Sequence, residues 1–529
     1  MRARIVYSKW LAVFYIALVA FTLAAAPAVH ASGGSIALPI VADPTFNPWH
    51  PNAFVESVFV NRVLFAGVTK PGKDLQPAPD LAKSWEASPD GTVWTFYLRD
   101  DVVWHDGTPF TAEDVAFTFN EIVLNPELGA NGAQNFRMLE RVEVVDPYTV
   151  RFHLSGPFAA LPTYLAYNAG ILPKHIFEGK DPWELSEFNK GMPVGTGPFK
   201  VREYVSGSHV TLERFDDYFG EPAKLDFVTF KVLPDANTQV AQLLAGEIHV
   251  MIIDNPLIVP RVGRNPRVKV HPVEQVNYYY VAINHDRELF QDKRVKQALL
   301  MAIDREAIIE SVLRGFGTPA TGPISPALEA YYHPDVRTYP YDPDAARQLL
   351  AEAGWQPGPD GILYKNGQPL KFVLDVARTK DLEPISALLQ QYWRDIGVQV
   401  DMVHHEWNAY VGKIVVQRNY DATVNWWITP ADPDVLPYYH SSAAHTGFNI
   451  TNYKNPELDA ILERGRQTVD VEDRIQVYRE FQEFVAEELP YIFLWYPQEI
   501  QARSAELQGM ADLGLRDNMH YINEWYLDR

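Results

Sequence analysis

Apolar and polar positions change period repeatedly along this chain. Trp94, Phe96 and Leu98 alternate with Thr95 and Tyr97, the period of a strand with one buried face. A turn at Asp90-Gly91 precedes this run, and a second run, Val102-Val103-Trp104, is predicted as a strand closed by Asp106-Gly107, because glycine takes the backbone conformations that tight turns need. Thr111 and Asp114 form a T-x-x-D capping pair, and Val115, Phe119 and Ile122 recur behind it at helical spacing. The alternation of periods returns downstream. Asp342-Pro343 predicts a helix start and Gly354 its end. Residues 384–396 predict another helix, with Leu388, Tyr392, Trp393 and Ile396 on one side and Gly397 beyond its end; Val398, Val400 and Met402 then follow at strand period. Strands alternating with helices predict α/β lobes.

The first 31 residues follow a different pattern. Arg2, Arg4 and Lys9 lead into a nearly continuous apolar run from Leu11 to Ala26, and Val29-His30-Ala31 ends it with small residues, as in a secretory leader cut after Ala31. The run is short for a membrane span, which needs about 20 apolar residues. No later segment is apolar enough to cross a membrane, so the exported chain is expected to be soluble. It contains no cysteine, so neither disulfides nor a lipid-modified amino-terminal Cys is expected. The whole chain carries a formal charge of −21, and removing the three basic residues of the leader leaves −24. That balance disfavours nucleic acid and anionic membrane surfaces as partners. At 529 residues the chain is long enough for more than one domain.

An exported α/β protein can be a hydrolase, but the motifs of such enzymes are incomplete in this sequence. There is no G-x-S-x-G elbow. Gly72-Lys73, Gly179-Lys180 and Gly412-Lys413 lack the other residues of a phosphate loop, and Gly315-Phe316-Gly317 lacks the third glycine of a dinucleotide loop. His405-Glu406 begins like a zinc-protease helix, but position 409 is Ala. His404, His405 and Glu406 are adjacent on a predicted strand, where neighbours face opposite sides, so no metal site is expected from them or from His440 and His445 downstream. The chain reads as a non-enzyme without cofactor or metal.

The wording of residues 84–121, with the run WHDG-x-PFTAEDV, closely resembles the amino-terminal block of the family 5 extracellular solute-binding proteins, the receptors of ABC importers for peptides, nickel chelates and some oligosaccharides. Residues 195–200 (GTGPFK), 210–219 (VTLERFDDYF), 242–250 (QLLAGEIHV, with His249 where Asp is usual), 278–286, 292–313 and 349–355 extend the resemblance. It implies a two-lobe periplasmic-binding-protein fold of α/β class, with an extra subdomain in the first lobe and a hinged interlobe cleft. The expected division is residues 32–66, 190–272 and 490–529 for the first lobe, 67–189 for its extra subdomain and 273–489 for the second lobe. The chain is expected to cross between lobes near residues 271–273 and 489–491.

The resemblance also directs attention to ligand-facing residues. Residues 426–434 (WWITPADPD) resemble the W-x-x-D-x-x-DPD segment, whose first Asp holds the ammonium of a peptide; here that position is Thr429, which leaves Asp432 or Asp434 of the DPD as the substitute ligand carboxylate, although the proline between them points to a structural turn. A hydroxyl does not replace a carboxylate opposite an ammonium in a closed cleft. Arg378 stands near the point where dipeptide receptors place a carboxylate-gripping Arg, a task that suits the guanidinium fork. Phe46 and Trp49 in DPTFNPW, with Trp426 and Trp427, are aromatic candidates for stacking on a ligand; of the adjacent pair, one is expected to face the cleft and the other to pack inside. The expected function is peptide uptake as a monomeric periplasmic receptor, free of any lipid anchor, that delivers its solute to an inner-membrane ABC permease and its ATPase subunits. An oligosaccharide or other uncharged solute is the alternative, ahead of a nickel chelate or a secreted hydrolase.

Overall fold

The computed structural model describes residues 33–168, 170–379, 381–515 and 518–528, so the expected leader lies outside the described residues. In the first lobe Ser35–Ile40 runs parallel to Phe227–Val232, and His209–Arg214 and Phe199–Val205 complete a four-stranded sheet. A second four-stranded sheet, in the order Ala82–Ala87, Val93–Leu98, Thr149–Leu154 and Leu139–Asp146, forms the extra subdomain. Both sheets share one apolar core, which takes in Trp94, Phe96 and Leu98 from the inward face of their strand.

The capping pair is present as a full capping box: Asp114 accepts the Thr111 N–H at 2.9 Å. The helix it opens, Ala112–Phe117, continues as a wider-turned segment over Thr118–Val123, and Val115, Phe119 and Ile122 are all buried. The strand expected at residues 102–104 shrinks to one bridge between Val103 and Pro109. Proline has no N–H to extend a ladder, so the Asp106-Gly107 turn closes a tight loop instead. His105 crosslinks this loop to residues 195–197: its Nδ1 accepts the Gly195 N–H at 3.1 Å and its Nε2 donates to the Gly197 carbonyl at 3.0 Å. Burial, the dominant cause, pushes this imidazole down to about 4, so it is neutral near pH 7.

The second lobe is built on Tyr278–Ile283, Ala422–Trp427, Lys371–Ala377 and Gln399–His405, with a large core around them. Asp342 caps the helix Pro343–Glu352, and Gly354 follows in the left-handed conformation. The helix expected over 384–396 spans Leu382–Asp395 and buries Leu382, Ile385, Ser386, Leu389 and Trp393. Leu388 and Tyr392 therefore flank the buried stripe, which is rotated from the expected face.

Tyr491–Ser504 ties the lobes together. Its first part pairs with Tyr278–Ile283 in the second lobe, and its residues 498–504 pair with Val268–Glu274 of the first. The crossings therefore fall at residues 275–277 and at Pro497, later than the expected 271–273 and 489–491. The reason is hydrogen bonding: His271, Pro272 and Val273 sit inside a ladder with the first lobe, and residues 491–496 are buried in the core of the second. His249, which stands where Asp is usual, accepts the Ala37 N–H on Nδ1 at 3.0 Å and thereby fastens the first strand.

Candidate functional site

The second-lobe sheet brings one edge to the hinge. Lys371–Ala377 runs parallel to both Gln399–His405 and Ala422–Trp427, so three carboxyl ends lie together. Tyr278–Ile283 is antiparallel to Ala422–Trp427 and sets Tyr278 and Tyr279 opposite Trp427 and Trp426, immediately after the first crossing. In open α/β sheets the crevice beyond such carboxyl ends is where ligands bind.

Two aromatic rows occupy this edge, one on each face of the Ala422–Trp427 strand. Trp495, Tyr279, Trp426 and Trp407 form the first, with successive ring centroids 5.2, 5.7 and 6.1 Å apart. Trp427 packs in the second, on Tyr280 at 5.9 Å, Tyr438 at 4.8 Å and Phe448 at 6.0 Å. Trp426 and Trp427 are both half-buried, so neither is a plain core residue. Trp407 is 47% exposed, and Ile428 and Phe448 are exposed beside them. The sequence pointed to the Trp426-Trp427 pair. It gave no signal for Tyr279, Trp407, Tyr438 or Phe448, whose spacing along the chain is unremarkable.

The carboxylates beside these rings are mostly committed. Arg474 grips both oxygens of Asp432, with Nη2 to Oδ1 at 2.6 Å and Nη1 to Oδ2 at 2.9 Å, and both side chains are buried. Asp434 receives Nε and Nη2 of Arg466 at 3.0 and 2.8 Å. Asp432 is thus a structural anchor of its loop, which corrects its expected place among the ligand-binding residues: a buried carboxylate that is bidentately paired has little left to offer a ligand. Thr429 is 2% exposed and donates its hydroxyl to the Val276 carbonyl at 2.8 Å, so it too is turned into the structure. Asp375, buried near the end of its strand, accepts His405 Nε2 and Lys413 Nζ on the same oxygen, each at 2.6 Å.

Arg378 is exposed on the loop that leaves Lys371–Ala377, and its backbone N–H donates to the His405 carbonyl at 2.9 Å. Asp381, on the same loop, receives the Tyr279 hydroxyl at 3.1 Å. Phe46 and Trp49 are at 0% exposure and belong to the core of the first lobe, a correction to their expected place at the ligand. Asn47 accepts the Trp49 N–H, and the indole Nε1 donates to the Gly170 carbonyl at 2.7 Å, so the loop folds its rings inward. Near this loop Val41, Val55 and Phe54 are left exposed, the last at 71%. Among the described residues no group of three or more His, Asp or Glu is placed to hold a metal ion. His404 instead lies 3.3 Å from Glu383, and His440 3.2 Å from Glu463. Among the described residues no helix is long and apolar enough to cross a membrane.

Comparison with known proteins agrees with this geometry. The profile of the bacterial extracellular solute-binding proteins, family 5 middle region, matches residues 76–449. The oligopeptide-binding protein AppA of Bacillus subtilis is 34% identical over 508 residues, covering 94% of this chain and 92% of its own. Its structure in complex with a nonapeptide superposes with a TM-score of 0.73 at 32% identity, over 94% of this chain and 99% of that one. The dipeptide-binding protein of Escherichia coli is 28% identical over 82% of this chain and 83% of its own, and heme-binding protein A of Haemophilus influenzae is 31% identical over 83% and 82%. With its two lobes, its doubly crossed hinge and a family match over most of its length, the chain belongs to the bacterial extracellular solute-binding proteins of family 5.

Proposed function

We propose that this chain is the receptor of an ABC importer and captures a peptide-class solute between its lobes. The carrying observation is the pair of aromatic rows at the hinge edge of the second lobe, which run from buried Trp495 and Tyr280 out to exposed Trp407 and Phe448, on a chain similar throughout to a receptor solved with a nonapeptide. Exposed apolar surface is unfavourable in water, and Trp407, Ile428 and Phe448 leave such surface at this edge. A ligand that covers it shifts the lobes toward closure, and water is expelled from around the contacts. The permease with its ATPase subunits then takes the solute from the closed receptor.

The chain is read as working by binding rather than catalysis, as the family's receptors do, and at this edge Asp432, Asp434 and Asp375 are held in ion pairs. Its setting is the periplasm, where the protein acts as a monomer after cleavage behind Ala31, without a lipid anchor. A second reading, an uncharged ring-bearing solute such as an oligosaccharide, draws on the same aromatic rows and on Thr429 standing where an ammonium partner is expected. A thermal-shift screen of peptides, oligosaccharides and nickel chelates separates the readings. A bound peptide at a hundred times its dissociation constant stabilises the fold by about 2.7 kcal/mol, a clear rise in melting temperature. Peptides without effect beside a neutral sugar that raises it overturn the peptide reading.

A further inference from the structure

We infer that Asp381, with the Tyr279 hydroxyl and the Trp426 ring, is the seat for a primary ammonium group of the ligand. The inference rests on the peptide reading and deepens it, because Thr429 leaves a peptide's amino terminus without its expected partner. Three acidic groups near the hinge edge are held by cations: Asp432 by Arg474, Asp434 by Arg466, Asp375 by His405 and Lys413.

Asp381 differs from all three. It stands at the cap position of the helix Leu382–Asp395, yet its side chain makes no capping bond. Thr379 does that work, accepting the Leu382 N–H on Oγ1 at 3.3 Å and the Glu383 N–H on its carbonyl at 3.4 Å. The Asp381 carboxylate is free to turn to Tyr279, which donates to Oδ2, and among the described residues Oδ1 accepts nothing. Arg378 shares the loop, but among the described residues no ion pair joins the two. Burial, reinforced by the Asp381 charge, raises the Tyr279 hydroxyl far above its ordinary range, so it remains a donor at any physiological pH.

The Tyr279 ring lies between Trp495 and Trp426, and Trp407 continues the row. A carboxylate hydrogen-bonded to a tyrosine whose ring stacks in an aromatic row joins the two kinds of group that hold an ammonium once water is excluded. Asp381 is only partly buried, so it is accessible before closure.

The test is retention of a synthetic mixture of two- to nine-residue peptides, offered with free or with acetylated amino termini and read by mass spectrometry. Wild-type protein should retain the free peptides about 10- to 100-fold better than their acetylated forms, the range of a charge-assisted bond. Asp381→Asn should lose that preference while keeping its melting temperature, and Tyr279→Phe should reduce it. Equal retention of free and acetylated peptides by the wild type, or an undiminished preference in Asp381→Asn, overturns the role of Asp381 and leaves the peptide reading standing. Retention of neither set overturns the peptide reading itself.

Discussion

Two tryptophan-rich regions of this molecule make opposite use of the same residue. In the extra subdomain, Trp94 and Trp104 are buried, and Trp104 meets Phe110 and His175 edge-on, each at 6.2 Å. At the hinge edge of the second lobe, Trp426 and Trp427 stop half-buried and Trp407 is open to solvent. The first region is closed by its own loop, since the turn at 106–107 brings Phe110 back against Trp104 and His105 fixes the loop to residues 195–197. The second is made of strand ends, where Trp407, Tyr438 and Phe448 cover the two indoles only in part. Aromatic content alone therefore says nothing about binding. Where the ring stands relative to a sheet's end decides it.

The comparison breaks first on stability. Trp104→Ala should cost about 3–5 kcal/mol, because it empties a fully buried site that cannot collapse. Chemical denaturation measures this, and a loss under 1 kcal/mol, within the range of surface substitutions, would show the extra subdomain is no closed scaffold.

The next effect concerns pH. His105 titrates near its usual 6.5 in the unfolded chain and at about 4 when folded. Between these values the unfolded state binds a proton that the folded state refuses, so stability is full above about 6.5 and falls toward pH 4, by up to about 1.4 kcal/mol per unit. His285, which burial lowers to about 3, acts in the same direction. His105→Gln should flatten the slope between pH 6 and 4 and leave ligand affinity unchanged. A wild-type slope retained in the variant would place the titration elsewhere.

The smallest effect sharpens the other side. Trp426→Ala should weaken a bound peptide about tenfold by calorimetry, an aromatic contact's typical share, with little change in melting temperature. A variant that binds normally but melts early would make Trp426 a core residue like Trp104.

Much of the scaffold was legible along the chain. The capping box at Thr111 and Asp114, the Asp342 cap and the strand from Val93 to Leu98 all depend on residues a few positions apart, and local geometry determines them. The site was only partly legible. Trp426 and Trp427 stood out, yet Asp432 looked like a ligand group until Arg474, 42 positions away, was seen to hold it. Phe46 and Trp49 failed as candidates for a related reason: their loop folds onto Phe119, Phe136 and Tyr204, partners that strand or helix period does not name.

By itself the sequence determined the family, the α/β class, the caps and the extra subdomain's block, since each is written in neighbouring residues whose interactions need no distant partner. The tertiary structure alone decided where the chain changes lobes, which carboxylates are spent on arginines, and that Asp381 turns from its own helix toward a tyrosine 102 positions away. Those outcomes depend on which strand ends meet at the hinge, and burial with long-range hydrogen bonding sets that only once the whole chain has folded.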